Sequence, residues 1–121
     1  MTTQQQKTEA FRKLHEAGTF VIPNPWDIGS AKILADLGYL ALATTSAGFA
    51  FSRGRPDGDG VIGRDETLAN FAEIVNATDL QVSADLQGGF GRDPKTVAET
   101  IRRAAEIGLC GGSIEDATGD A

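Results

Sequence analysis

A single cysteine, Cys110, among 121 residues excludes an internal disulfide framework and a cysteine-rich zinc site. It reads as a buried small hydrophobe. The single histidine, His15, sits beside Leu14 on what reads as the first helix, as a surface or helix-packing group. Without it no Ser-His-Asp or Cys-His arrangement can be assembled. Cations are also scarce: 11 Lys plus Arg against 17 Asp plus Glu give a net charge of -6. Phosphate binding draws on clustered Lys and Arg, so this balance argues against a nucleic-acid groove. No apolar run approaches the roughly 20 residues of a membrane-spanning helix. The polar stretch from Met1 to Lys7 lacks the apolar core of a signal peptide. These absences predict a cytoplasmic globular chain with neither nucleic acid nor membrane as partner.

Glycine, by contrast, is plentiful, with 15 residues that cluster in 46–63, 88–91 and 111–112. Such clusters mark turns or close approaches of backbone to a ligand. Between them the hydrophobic period alternates. Residues 4–18 read as an amphipathic helix carrying Ala10, Phe11 and Leu14, stopped by Gly18. Residues 20–24 read as a short buried strand. Asp27 caps a helix whose stripe is Ile28, Ala31, Leu34 and Ala35, and 39–45 is a nearly continuous apolar strand. The segment 46–63 reads as a long loop. Asp65 opens a helix with Leu68, Phe71, Ala72 and Val75 inward, and 80–86 is a third strand. Asp93 followed by Pro94 is a strong helix start, with Val97, Ile101, Ala104 and Ala105 as the stripe. A fourth strand is expected over 111–117. Strands separated by helical crossovers imply a parallel sheet, and the strand spacing suits a TIM-type (β/α) barrel. About half of the eight units are expected, as one partial domain over 1–121.

Ligands of parallel α/β folds bind where strands end and loops converge. The strand ends here hold Asn24-Pro25-Trp26, Thr45-Ser46-Ala47, Asp85 and Glu115-Asp116. If the last two strands are neighbours, Asp85 and Glu115 face one mouth. Two carboxylates sharing a site repel, and one must take up a proton or the pair must bind a cation. Oxygen donors without His or Cys favour a hard ion such as Mg²⁺, with Mn²⁺ also possible. The structural alternative is that Asp85 caps a turn and Glu115 pairs with an Arg such as Arg92. Trp26 either lines the pocket or plugs the barrel end as packing, and Arg53 and Arg55 either meet an anionic substrate or keep their loop soluble.

Three ordered stretches, 20–48, 82–91 and 113–119, resemble the isocitrate lyase and phosphoenolpyruvate mutase superfamily. The resemblance implies a Mg²⁺-dependent lyase, hydrolase or mutase acting on a small 2-oxo or 2-hydroxy (di)carboxylate. The reaction it implies is C–C or C–P cleavage through an enolate-like intermediate. Asp85 becomes the principal metal ligand, Glu115 a direct or water-mediated one, and Asp57 (with Asp59 two residues on) an outer carboxylate. Thr45, Ser46 and Ala47 become a cradle for a substrate carboxylate. The usual Asp-x-Asp of the third strand is here Ser83-Ala84-Asp85, and two extra residues precede the Gly89-Phe90-Gly91 turn. The family's Lys-Lys-Cys-Gly-His loop and the arginine of its later strands have no counterpart in these residues, and Cys110 precedes its strand. The 121-residue form is therefore expected to be inactive alone, as a truncated piece or a self-associating half-barrel. The full-length protein is expected to be a homo-oligomer. A non-catalytic module that binds a small carboxylate is the alternative.

Overall fold

The computed structural model describes residues 2–118; Met1 and residues 119–121, with the final glycine of the 113–119 motif, lie outside the described residues. The order is α1 (Gln4–Leu14), α2 (Ile28–Asp36), β1 (Ala41–Ala43), α3 (Ser46–Ser52), α4 (Arg64–Ala77), β2 (Gln81–Asp85), α5 (Pro94–Glu106) and β3 (Gly111–Ser113). The three strands form a parallel sheet in the order β1-β2-β3. Ala41 is opposite Gln81 and Asp85 is opposite Ser113. This α/β arrangement is consistent with part of a TIM barrel.

Side-chain alternation gives the sheet two different faces. Leu42, Val82, Ala84 and Leu86 are buried with Ala31, Leu68, Phe71, Ile74, Val75, Ala104 and Leu109 in one core under the helices. Gln81, Ser83 and Asp85 alternate with these and take the other face, which is lined by small and polar groups. Helix α1 packs on that second face: a Cβ added at Gly111 would lie 2.9 Å from Phe11 Cε1 and 3.4 Å from Ser83 Oγ. Gln4 Nε2 donates to the carbonyls of Ala105 (2.6 Å) and Leu109 (3.2 Å), and Lys7 Nζ to that of Thr78. Helix α1 therefore closes the end where β2 and β3 begin, leaving their C-terminal ends open.

Several sequence expectations require correction. Residues 20–24 form no strand, so among the described residues there are three strands where four were expected. Pro23 and Pro25 carry no N–H for a ladder, and the segment meets β1 through Ala43 N–H to Pro23 O (3.1 Å). The strand expected over 39–45 is Ala41–Ala43, that over 80–86 is Gln81–Asp85, and that over 111–117 is Gly111–Ser113. The first helix ends at Leu14, not 18. The expected loop 46–63 contains α3, which Thr45 caps through Gly48 N–H and which buries Phe49 and Ala50 beside Ile62. Helix α4 starts one residue earlier than expected, at Arg64. On α5 the buried positions are Thr100 and, as expected, Ala104, whereas Ile101 and Ala105 are exposed. Ile28 is also largely exposed at 43%, as is Trp26 at 45%. Cys110 is partly exposed.

Two caps follow the sequence expectation. Asp27 accepts from Ser30 N–H at 2.7 Å, and Asp93 Oδ1 accepts from Lys95 N–H (3.0 Å) and Thr96 N–H (3.1 Å). The Ser30 N–H and hydroxyl hold the Asp27 carboxyl below its ordinary range, and the Thr96 hydroxyl and N–H do the same for Asp93. Each group gives up its proton more readily in the folded chain. Its stabilisation is complete above about pH 4, the unfolded aspartate range, and is lost as pH falls through the lower folded values. Urea midpoints should therefore hold steady from pH 7 to 5 and decline below 4. The decline should be shallower in an Asp27→Asn/Asp93→Asn double variant, which keeps cap acceptors that do not titrate.

Candidate functional site at the C-terminal ends of the strands

The site is organised around Asp85, the last residue of β2. Its Oδ2 accepts from Ser46 N–H at 3.1 Å, and its Oδ1 from Gln87 N–H at 3.0 Å. Its own N–H donates to Thr44 Oγ1 at 3.1 Å, and Thr44 is buried. One carboxylate thus ties the loop after β1 to the loop after β2. Each Asp85 oxygen accepts one hydrogen bond from these groups and retains a second lone pair for a cation or a water.

The chain leaving β3 follows the same loop. Leu86 N–H donates to Ser113 O (3.2 Å), and Glu115 N–H donates to Gln87 O (2.8 Å). Gln87 consequently joins Asp85 and Glu115 through its two backbone polar atoms. It does so at φ 51, a left-handed conformation that costs a non-glycine residue about 1 kcal/mol. Phe90 in the adjoining turn is also left-handed, at φ 65. Thr100 Oγ1 anchors that turn from α5, donating to Gly89 O at 2.7 Å.

The sequence-predicted residues distribute as follows. Glu115 lines an open cleft with Asp59, Arg64, Gln87, Phe90 and Asp116. Asp57 lines a separate small cavity with Ser46, Phe49, Thr67 and Gln87. Among the described residues no three His, Cys, Asp or Glu side chains converge as a ready-made metal cage. Asp85 lines neither cavity, and as donors Asp85 and Glu115 offer oxygen alone, the type that a hard cation keeping its waters takes, as Mg²⁺ does. They do not fit a cation that needs an all-protein shell. Glu115 makes no ion pair among the described residues, while Arg92 Nη2 donates to Thr118 O.

In the 45–47 segment, Thr45 Oγ1 accepts Gly48 N–H (3.1 Å) and Ser46 N–H is held by Asp85. Arg55 pairs with Glu66 at 2.9 Å, and Arg53 lies over the Phe49 ring, so both cations of the 53–55 stretch have local partners. His15 is exposed and packs edge-on against Phe11 and Phe20. Sequence reasoning missed Thr44, Thr67 and Gln87. Thr67 Oγ1 is buried without a partner among the described residues, yet nothing in its helical spacing separates it from an ordinary core threonine.

Comparison with known proteins bears on this arrangement. The family model for phosphoenolpyruvate phosphomutase matches residues 11–121. A crystal structure from Burkholderia cenocepacia J2315, of a protein provisionally assigned as a lyase/mutase, superposes with a TM-score of 0.92 at 61% identity, covering 96% of this chain and 42% of that one. The structure of 2,3-dimethylmalate lyase, a PEP mutase/isocitrate lyase superfamily member, gives 0.81 at 29% identity, covering 98% and 41%. The 2-methylisocitrate lyase of Halalkalibacterium halodurans is 30% identical over 115 residues, covering 94% of this chain and 38% of the lyase. The chain thus spans about two fifths of the length of these relatives. It is similar to proteins of a superfamily of lyases and mutases, and it belongs to the phosphoenolpyruvate phosphomutase family.

Proposed function

We propose that this chain carries part of a Mg²⁺-dependent site, open also to Mn²⁺, for cleaving a C–C or C–P bond in a small 2-oxo or 2-hydroxy (di)carboxylate. The observation that carries this reading is the linkage of Asp85, Gln87 and Glu115 at adjoining strand ends, with Ser46 on the same carboxylate. Two named relatives support the substrate class, since 2,3-dimethylmalate and 2-methylisocitrate are both hydroxy acids with several carboxylates. Asp85 and Glu115 would hold the ion, with Asp57 an outer carboxylate. Thr44 fixes the main chain of Asp85. Thr45 shapes the turn so that the Ser46 hydroxyl and Ala47 N–H meet a substrate carboxylate. When bound, Mg²⁺ supplies Lewis-acid stabilisation of the negative oxygen that develops beside the breaking bond.

No described residue at this mouth is placed as a general acid or base with a relay of its own, so the 121 residues by themselves are expected to bind and not to turn over. Calorimetry with Mg²⁺ and oxalate, beside turnover assays with oxaloacetate and methylisocitrate, tests this. The expected result is Mg²⁺-dependent oxalate binding and no turnover by the purified chain. Measurable specific activity of this chain contradicts the second part, and absence of oxalate binding contradicts the first. A second reading, a non-catalytic small-carboxylate binding module, is favoured by Ser83. It lies on the Asp85 face with its hydroxyl near Gly111, where the family pattern has a carboxylate. A longer form carrying these residues that binds oxalate but turns over no hydroxy or oxo acid would select the module. In either reading the protein is proposed to be homo-oligomeric at full length, and the polar start of the sequence favours a cytoplasmic location.

A further inference from the structure

Gln87 is a strained choice at its position. Its φ of 51 suits glycine, and Gly88 and Gly89 follow it directly. A glycine there would keep both backbone hydrogen bonds, N–H to Asp85 Oδ1 and C=O from Glu115 N–H, without steric cost. The backbone role therefore does not account for glutamine, which leaves the side chain. Among the described residues that side chain makes no hydrogen bond although it is half-buried. Gln87 also lines both the cleft shared with Glu115 and Arg64 and the small cavity shared with Ser46 and Asp57. Left-handed non-glycine residues held by their surroundings concentrate where a ligand is gripped. A carboxamide offers two N–H donors and no charge. It can thus meet an anionic oxygen in the cleft beside Glu115 and Arg64 without adding a charge there.

We propose that Gln87 is a ligand-binding residue whose side-chain amide donates to an oxygen of the small carboxylate ligand in the cleft that Gln87 shares with Glu115 and Arg64. This rests on the functional reading above and deepens it by assigning a contact to a residue outside the ligand set.

The test compares the unaltered chain with Gln87→Gly, Gln87→Ala and Gln87→Glu by calorimetry, using Mg²⁺ alone and then oxalate at saturating Mg²⁺, with thermal melts alongside. Gln87→Gly relieves the left-handed strain, so it should melt at or above the unaltered temperature, which guards against loss of fold. Expected is a five- to tenfold weaker oxalate affinity in both Gly and Ala variants with Mg²⁺ affinity within twofold of the original. Gln87→Glu should lose oxalate binding further while gaining affinity for Mg²⁺ alone, a split that a merely structural role would not produce. Unchanged oxalate affinity in the Gly and Ala variants, beside normal binding by the unaltered chain, overturns the role of Gln87 and leaves the functional reading standing. Failure of the unaltered chain to bind oxalate overturns both.

Discussion

Replacing Asp85 with alanine should weaken Mg²⁺ binding at least tenfold and lower the free energy of unfolding by about 2–3 kcal/mol, the scale of two hydrogen bonds to a charged acceptor. Both effects come from one side chain. The carboxylate is the leading cation ligand in the functional reading, and it also receives the Ser46 and Gln87 N–H groups. Deleting it leaves those two donors to water and frees the loops after β1 and β2 from one another. Asp85→Asn separates the effects. An asparagine keeps one acceptor oxygen but turns an NH₂ toward the other donor, so about half the stability should return. Cation affinity should not recover, because the charge is gone. Urea unfolding and Mn²⁺ titration followed by electron paramagnetic resonance read the two quantities independently. A variant that keeps full cation affinity would remove Asp85 from the ligand set while leaving its structural tie intact.

Phe71→Ala should cost about 4 kcal/mol, within the 3–5 kcal/mol seen for large aromatic truncations in closed cores. Phe71 is fully buried on α4 in the cluster that also holds Leu42, Ile74, Val82 and Leu86. Domains of this size are stable by about 5–15 kcal/mol, so the loss removes roughly a quarter to four fifths of the margin. Phe71→Leu refills most of the volume and should cost less than half as much. Chemical denaturation with matched slopes would check both values. A cost below about 1.5 kcal/mol for the alanine variant would mean that the core collapses around the gap, contrary to close packing.

The parts of the fold that were legible in the sequence are those fixed within a few residues. Asp27 and Asp93 announce helix starts because a cap is a contact between a side chain and the backbone two or three positions on. The apolar runs feeding β1 and β2 are similarly local. What stayed hidden depends on distant partners. Residues 20–24 have strand composition, but Pro23 and the following Pro25 deny the ladder, and only the neighbouring β1 decides that. Helix α3 is disguised by Gly48 and two serines, and it forms because Thr45 caps it and Phe49 and Ala50 find Ile62. Asp85 and Glu115 could be picked out as strand-end carboxylates, whereas the hinge between them could not. Gln87 has no signature in sequence because its role is set by a backbone angle and by two bonds to other segments. Thr44 and Thr100 look like ordinary small polar residues until their hydroxyls are seen against Asp85 and Gly89.

The clasp at the start of the sheet has a bearing on how the molecule is made. Gln4 reaches carbonyls 101 and 105 residues further along the chain. During synthesis the first helix can coil early, yet its seat is incomplete until residue 109 has emerged from the ribosome and β3 has joined the sheet. Docking of α1 must therefore be a late event, and an amphipathic segment bearing Phe11 waits in solvent while the rest is assembled.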